Sequence, residues 1–412
     1  MKILWIKPGK LLPLDKGGKL RTYHILRHLY RAHEVTYLSY YDGLRDADYE
    51  RELRDLFSGA LPLCTGSAEL TGLWRVLDYV RRLPRRVPDA VGRFESVQVK
   101  QLLSTLIAGR EFDVVVCDFL ASTPNFPQDL EIPSILFQHN VESMLWKRRA
   151  QLETTLMRRM ISKIECAKMV RYEREQLRRF HHAFAVSEGD REAMSGMTDR
   201  SRISVIPTGV DLEHFRYDPD LKPAGPFVVF VGSMDWQPNI DGVEHFCNKI
   251  WPQVLAEIPQ ARFQIVGRNP DPRVQKLASA SIKVTGTVPS VTKYLREAAV
   301  LVVPLRIGSG TRIKIYEGMA MGKATVSTRV GAEGLDIHDG QDILLADQPQ
   351  QFSRFVIALL QNEELRQKIE MAAASTASQY DWSRVAERFA YQIQKVINAS
   401  RMGEPLSPLA VA

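Results

Sequence analysis

No apolar run in this 412-residue chain approaches the roughly 20 residues that a membrane-spanning helix needs. The opening Met1-Lys-Ile-Leu-Trp-Ile6 is too short for a secretory leader and lacks a small-residue cleavage site, so it reads as a first strand. Cysteine is scarce: Cys64, Cys117, Cys166 and Cys247 stand far apart, with no CxxC spacing. That excludes a disulfide framework and a thiolate zinc site, and fits reduced thiols in a cytoplasmic protein. No GxGxxG follows the first strand, which removes support for a dinucleotide oxidoreductase. Carboxylates paired at hydrolase spacing are missing too, which argues against a glycosidase. Short-period repeats and low-complexity tracts are absent.

What is present is alternation. Short apolar strand patterns (Lys2–Ile6, Glu34–Tyr40, Asp113–Cys117, Ser134–Gln138, Ala183–Ser187, Ile203–Ile206) are separated by helical stretches. Strands this short and apolar suit a parallel sheet buried on both faces. A polar, Pro- and Gly-containing stretch from Arg216 to Pro226 interrupts the pattern, which restarts at Phe227. The length also exceeds one ordinary core. The expected fold is therefore α/β, with two Rossmann-like doubly wound domains, over 1–215 and 216–383. Residues 384–412 form a last helix, with Asp381 or Ser383 as its N-cap, and a frayed tail.

The stretch Val303–Leu335 carries the chemistry. An apolar strand, Val300–Leu305, breaks at Gly308-Ser309-Gly310, and a helix is predicted to start near Thr311. Glycines let backbone N–H groups approach a ligand, and a helix start adds unpaired donors and the positive end of the dipole. Arg312 and Lys314 fall in the predicted first turn, the end that dipole logic reserves for anions. Two cations there point to a bound diphosphate, with Glu317 behind them to accept sugar hydroxyls; an ordinary Gly-rich βαβ turn is the plainer alternative. Gly17 and Gly18 open another helix after the first strand and again offer backbone donors. His24 and His28 share a face of that helix, without a nearby third ligand that would make a metal pair. Gln138-His139-Asn140-Val141-Glu142 ends a strand at the carboxyl edge, where open α/β sheets bind ligands. His139 there is either a ligand-facing group or a helix cap, and Glu142 competes with it for an acid–base or acceptor-binding role.

The run Glu317-Gly-Met-Ala-Met-Gly322-Lys-Ala-Thr-Val-Ser-Thr328, followed by Gly331-Ala-Glu-Gly-Leu335, resembles the donor-site segment of the GT-B nucleotide-sugar glycosyltransferases of family 4 (glycosyl transferases group 1). Val205-Ile-Pro-Thr-Gly-Val-Asp211 through Phe215 resembles that family's VIPNGVDxxxF segment. The usual first glutamate of Glu-x7-Glu is replaced by Ser309, as in a subgroup with G-x-GTR-x-K-x-x-E. The resemblance implies two domains facing a cleft, a nucleoside-diphosphate-sugar donor held by the C-terminal domain, and retention of anomeric configuration. It implies that Gly17 and Gly18 face the diphosphate, that His139 lies near donor sugar and acceptor, and that Gly267 helps frame the base. The common GRLxxxKG loop appears here as Gly232-Ser-Met-Asp-Trp-Gln-Pro-Asn239, without its Arg and Lys. Arg312 and Lys314 are expected to supply those cations, with Ser233 and Asn239 giving neutral hydrogen bonds. Ser309, Gly310, Thr311 and Glu317 complete the expected donor site. No metal or other cofactor is expected, because the two cations take the place of a divalent ion.

Charge is unevenly placed. Between Ser143 and His181 eleven Lys/Arg face four Glu, an excess equal to the whole chain's +7. Leu, Met, Ile and Val are interspersed at helical spacing, predicting a basic amphipathic helix or helix pair. Three uses are open: a solvated face, a nucleic-acid surface, or a platform for anionic lipid. Sparse aromatics disfavour base stacking. The expected function is a glycosyltransferase moving a hexose-type sugar to a saccharide or lipid-linked acceptor in surface polysaccharide or glycoconjugate synthesis. It would be cytoplasmic, with peripheral attachment at the inner face of the plasma membrane as a variant of that expectation. A sugar-nucleotide epimerase of the same fold, or a non-catalytic basic scaffold or nucleic-acid-binding protein, is the alternative.

Overall fold

The computed structural model of the chain describes residues 1–66, 72–109, 111–153, 155–307 and 312–402. It divides into two compact units: Met1–Pro207 with Val385 onward, and Thr208–Arg384.

The first unit is built on seven parallel strands: β1 Lys2–Pro8, β2 Glu34–Tyr41, β3 Ala60–Cys64, β4 Val114–Asp118, β5 Ser134–Phe137, β6 His182–Ala185 and β7 Ile203–Val205. Their spatial order is β3-β2-β1-β4-β5-β6-β7, so the winding direction reverses between β1 and β4. Residues of β1, β4, β5 and β6 are buried almost throughout, which accounts for their lack of polar alternation. The helices are α1 Gly17–Ala32, α2 Ala47–Leu56, α3 Gly72–Arg82, α4 Asp89–Gly92, α5 Val97–Ala108, α6 Glu142–Leu152, α7 Leu156–Arg179 and α8 Glu188–Ser195. The basic stretch is thus a helix pair, α6 and α7.

The second unit has a six-stranded parallel sheet: β8 Phe227–Val231, β9 Arg262–Val266, β10 Ile282–Gly286, β11 Val300–Val303, β12 Ala324–Ser327 and β13 Leu344–Leu345. Its order is β10-β9-β8-β11-β12-β13, with the reversal between β8 and β11. Around it lie α9 Gln237–His245, α10 Trp251–Glu257, α11 Pro272–Gln275, α12 Thr292–Glu297, α13 Ile313–Ala320, α14 Pro349–Gln361 and α15 Glu363–Ser378. Between α9 and α10 the chain makes a π turn at Phe246–Ile250, just before Pro252.

The last helix, α16 Trp382–Met402, begins in the second unit and continues in the first. Asp381 accepts a hydrogen bond from the Ser383 amide at 2.8 Å, so Asp381 is its cap. Phe389 of α16 stacks on Trp5 at 5.2 Å between centroids and meets Phe137 and Phe184 edge-on. Burial of these four rings joins the C-terminal helix to the first sheet. No described helix is long and apolar enough to cross a membrane.

Candidate active site

Each unit gathers its polar residues at the carboxyl end of its sheet, beside the strand reversal. In the first unit the centre is Asp118, the fully buried last residue of β4. Its carboxylate accepts from Trp5 Nε1 at 3.1 Å, from the Thr22 hydroxyl at 2.6 Å and from His139 Nε2 at 2.6 Å. The other imidazole nitrogen, Nδ1, lies 2.9 Å from an Arg21 guanidinium nitrogen. A guanidinium only donates, so Nδ1 accepts and the ring proton sits on Nε2. Both nitrogens of His139 are therefore engaged inside the protein. Phe119 stacks flat on the ring at 3.9 Å, and Lys7 Nζ sits 4.0 Å from the Phe119 centroid.

The electrostatics follow from burial. Burial brings His139 down to about 4 against the opposing pull of Asp118, so it is neutral at physiological pH. It likewise lowers Lys7 to about 8 and Arg21 to about 10, with Asp118 opposing both. Burial alone would raise Asp118, but Lys7, His139 and the Thr22 hydroxyl prevail and hold it below its ordinary value. Gly17 and Gly18 are the first two residues of α1, whose N-cap, Lys16, makes no side-chain cap. A Cβ on Gly18 would stand 2.6 Å from the Phe119 ring, so only glycine lets this helix start approach the stack.

Beyond His139, Glu142 is the first residue of α6. The buried Glu173 carboxylate accepts from the amides of Glu142 and Ser143 at 2.9 and 3.1 Å, capping this helix from α7. Burial and Glu173 push Glu142 up to about 7.

In the second unit Gly232, Ser233, Asn239, Gly267, Arg312, Lys314 and Glu317 lie at the carboxyl ends of β8, β9 and β11. Ser309, Gly310 and Thr311, named as donor-binding from the sequence, fall outside the described residues, as does Gly308. The helix expected near Thr311 starts at Ile313. Arg312 is thus the cap residue rather than part of the first turn, and Lys314 is the second helical residue. Both cations still stand at the positive end of this helix, the end that favours anions. Arg312 is buried, with its guanidinium carbon 5.1 Å from the Trp236 ring centroid. Lys314 Nζ donates to Asn239 Oδ1 at 3.0 Å and lies 4.3 Å from the Phe230 centroid. Asn239 in turn donates to the Ser233 carbonyl at 2.8 Å. The Ser233 hydroxyl bonds Asp235 and accepts from Arg268 at 3.1 Å. Asn239 and Ser233 thus brace the cations and the loop, a role their sequence positions did not reveal.

Lys314 is brought down to about 7 by burial and by Arg312, with Glu317 opposing. Glu317 is pushed up to about 7 by burial, with Lys314 opposing. Backbone approach is tight here: a Cβ on Gly232 would lie 2.6 Å from Lys314 Nζ, and one on Gly267 only 1.6 Å from the Gly232 carbonyl oxygen. His24 and His28 both lie on α1, and among the described residues no group of three His, Cys, Asp or Glu could hold a metal ion.

Residues 16–214 match the family described as Glycosyltransferase Family 4, and residues 225–362 match Glycosyl transferases group 1. The two matches run in order and cover most of the chain. The chain belongs to glycosyltransferase family 4. Among its relatives is the 44.6 kDa protein of the cps region of Klebsiella pneumoniae, 26% identical over 192 residues, 44% of this chain and 49% of that one. The phosphatidyl-myo-inositol mannosyltransferase of Mycolicibacterium smegmatis is 28% identical over 191 residues, 44% of this chain and 49% of that one. The chain thus spans about half the length of the curated relatives it matches. In structure it is similar to the Anabaena protein HepE, solved with UDP and glucose, with a TM-score of 0.65 at 14% identity over 96% of this chain and 99% of the other. That likeness extends across both Rossmann-like domains and establishes the GT-B fold.

Proposed function

We propose that this family 4 protein is a retaining glycosyltransferase. It takes a nucleoside-diphosphate hexose as donor and a saccharide or lipid-linked saccharide as acceptor. One observation carries the reading: Arg312 and Lys314 stand together at the carboxyl edge of the second sheet, where Lys314 is depressed first by burial and then by Arg312. A diphosphate there neutralises both, and its charge grows as the bond to the anomeric carbon breaks, so preorganised cations favour the transition state over the ground state. The new bond forms to an acceptor hydroxyl oxygen, and the hydroxyl proton passes to the departing phosphate. Glu317 accepts hydroxyl hydrogen bonds from the nucleotide sugar, and Gly267 leaves room for the base. In the first unit, His139 acts as a strut that holds Arg21 and Asp118 in place, since neither ring nitrogen is open to a substrate proton. The relatives' printed roles support the choice of reaction: one transfers mannose, one lies in a cps region, and a protein of the same fold was solved with UDP and glucose.

A thermal-shift panel of UDP, GDP and ADP tests the donor assignment, since a ligand of the folded state raises the midpoint. One diphosphate should do so in the parent protein and fail to in the Arg312→Ala/Lys314→Ala variant. That variant should lose sugar transfer by about two orders of magnitude or more. Parent-like turnover in the folded double variant rejects the assignment.

A further inference from the structure

Helix α7 turns polar side chains inward where a core helix would place apolar ones. Ser162 and Glu165, three residues apart on one helix face, are 3% and 1% exposed. Both line a cavity of about 450 Å³ bounded by α3, α6, α7 and the start of α4. That volume falls in the range of small-molecule pockets, about 300–1,000 Å³.

The two polar residues differ in what they do there. The Glu165 carboxylate accepts from the Asp89 amide at 2.8 Å and the Tyr79 hydroxyl at 3.4 Å, and Lys168 Nζ donates to it at 3.3 Å. Glu165 therefore ties α3 and α4 to α7 and makes the cavity wall rigid. Ser162 has no such task. Among the described residues its hydroxyl has no hydrogen-bond partner, although the side chain is buried at the cavity. Folded proteins rarely leave a buried hydroxyl unpaired unless something outside the chain completes it. The Asp89 carboxylate and the Arg158 guanidinium stand at the same cavity, and neither is in an ion pair with a described residue.

The remaining walls select the ligand. Trp146 of α6 and Tyr79 of α3 supply aromatic surface. The Arg149 guanidinium lies 5.1 Å from the Trp146 ring centroid and donates to Glu153 at 3.4 Å, so its N–H groups are presented beside the ring. A sugar ring offers an apolar face of C–H groups and adjacent hydroxyls that both donate and accept. Aromatic walls answer the first; Ser162, Asp89 and Arg158 answer the second. Charge in the lining nearly cancels, with Arg149 and Arg158 against Asp89, Glu153 and Glu165. A strongly charged ligand would meet groups of its own sign here, whereas a neutral polar one would not.

Position adds to the chemistry. Glu142 opens α6 at the carboxyl edge of the first sheet, and Trp146 follows one turn later on the same helix face. The cavity thus begins about one helical turn from that edge and extends away from it.

We propose that this cavity binds a neutral sugar unit, and that it holds a part of the acceptor other than the unit being glycosylated. The first clause stands on the cavity alone; the second rests on the transfer reaction proposed above.

An array of gluco-, manno-, galacto- and N-acetylhexosamine saccharides, from single sugars to hexasaccharides and with phosphorylated and sulfated forms alongside, tests the full chain. The parent should be retained on a subset of the neutral saccharides, and its tryptophan emission should shift on titration with the best of them. Trp146→Leu should weaken that binding on the order of tenfold. Ser162→Ala should weaken it about two- to tenfold while holding or raising the thermal midpoint, because an unpaired hydroxyl adds nothing to the free fold. A serine with a purely structural role would lower the midpoint and leave binding unchanged. No retention of the parent, parent-like binding by both variants, or retention on the phosphorylated and sulfated forms alone overturns the proposal. The Arg312→Ala/Lys314→Ala variant should keep this retention while losing transfer, so the two assignments fail separately. Where transfer is measured, Trp146→Leu should raise KM for a long acceptor more than for a single-sugar one. An equal rise removes the acceptor from this cavity.

Discussion

Lys314 carries its amine beside the Arg312 guanidinium, and burial with that neighbour brings it from 10.5 to about 7. A bound diphosphate favours the ammonium form and lifts the group back toward its ordinary value. The sign follows from linkage: the complex holds more protons than the free protein, so affinity falls as pH rises between the two values. Above about pH 7.5 each further unit costs the free protein a tenfold share of its protonated lysine. From pH 7.5 to 9.0 the affinity should therefore fall by about thirtyfold, near 2 kcal/mol. Over this range the nucleotide's own terminal phosphate, with a pKa near 6, is already ionised. Glu317 titrates in the same region and faces the same lysine, so the two share a proton and the slope belongs to the pair. Calorimetry of the bound nucleoside diphosphate in two buffers of different ionisation enthalpy reads the proton uptake directly. Uptake should approach one proton near pH 8.5 and vanish in Lys314→Met. A flat affinity from pH 7.5 to 9.0, or an unchanged slope in the methionine variant, refutes the placement of the anion against Lys314.

Asp118→Asn leaves an amide where three donors converge on a buried carboxylate, beside Lys7. Breaking such an arrangement costs about 3–5 kcal/mol, so the thermal midpoint of the first unit should drop by roughly 6 °C or more; a drop under about 2 °C would mean that the network is not structural. Gly232→Ala places a methyl in van der Waals overlap with Lys314 Nζ and Asn239, and overpacking of this type costs about 1–3 kcal/mol. Nucleotide affinity should weaken at least as much as stability does, and parent-like affinity in calorimetry would show that Lys314 is not held where binding needs it.

The two sheets were legible because parallel strands buried on both faces print as short apolar runs. Gly322, at φ 65°, marks the end of its helix in the sequence as glycine commonly does. Arg312, Lys314 and Glu317 were legible for a different reason: they sit within six residues of one another. The Arg21–His139–Asp118 assembly was not, since its members come from α1, β4 and the loop after β5 and meet only through the sheet order. A signal for Asp118 was present, an acidic residue closing the apolar run Val-Val-Val-Cys, and it points to the carboxyl edge. Helix α7 was legible as half of a basic helix pair, though not which of its faces is covered. Its apolar spacing is that of a core helix, and only packing decides which of two faces is covered. The start of α13, expected near Thr311, falls at Ile313, where no side chain caps the helix and the sequence therefore offers no sharp start signal.

Phe389 has a consequence for any attempt to cut this chain into pieces. The segment 208–384 is an insertion with its two ends side by side, since the Val210 amide donates to the Tyr380 carbonyl and the Trp382 amide to that of Val210. It can be excised with its own sheet entire. A fragment spanning 1–207 cannot, because it would leave the hydrophobic flank formed by Trp5, Phe137 and Phe184 bare to water. The first sheet therefore borrows part of its hydrophobic cover from a helix nearly two hundred residues further along the chain.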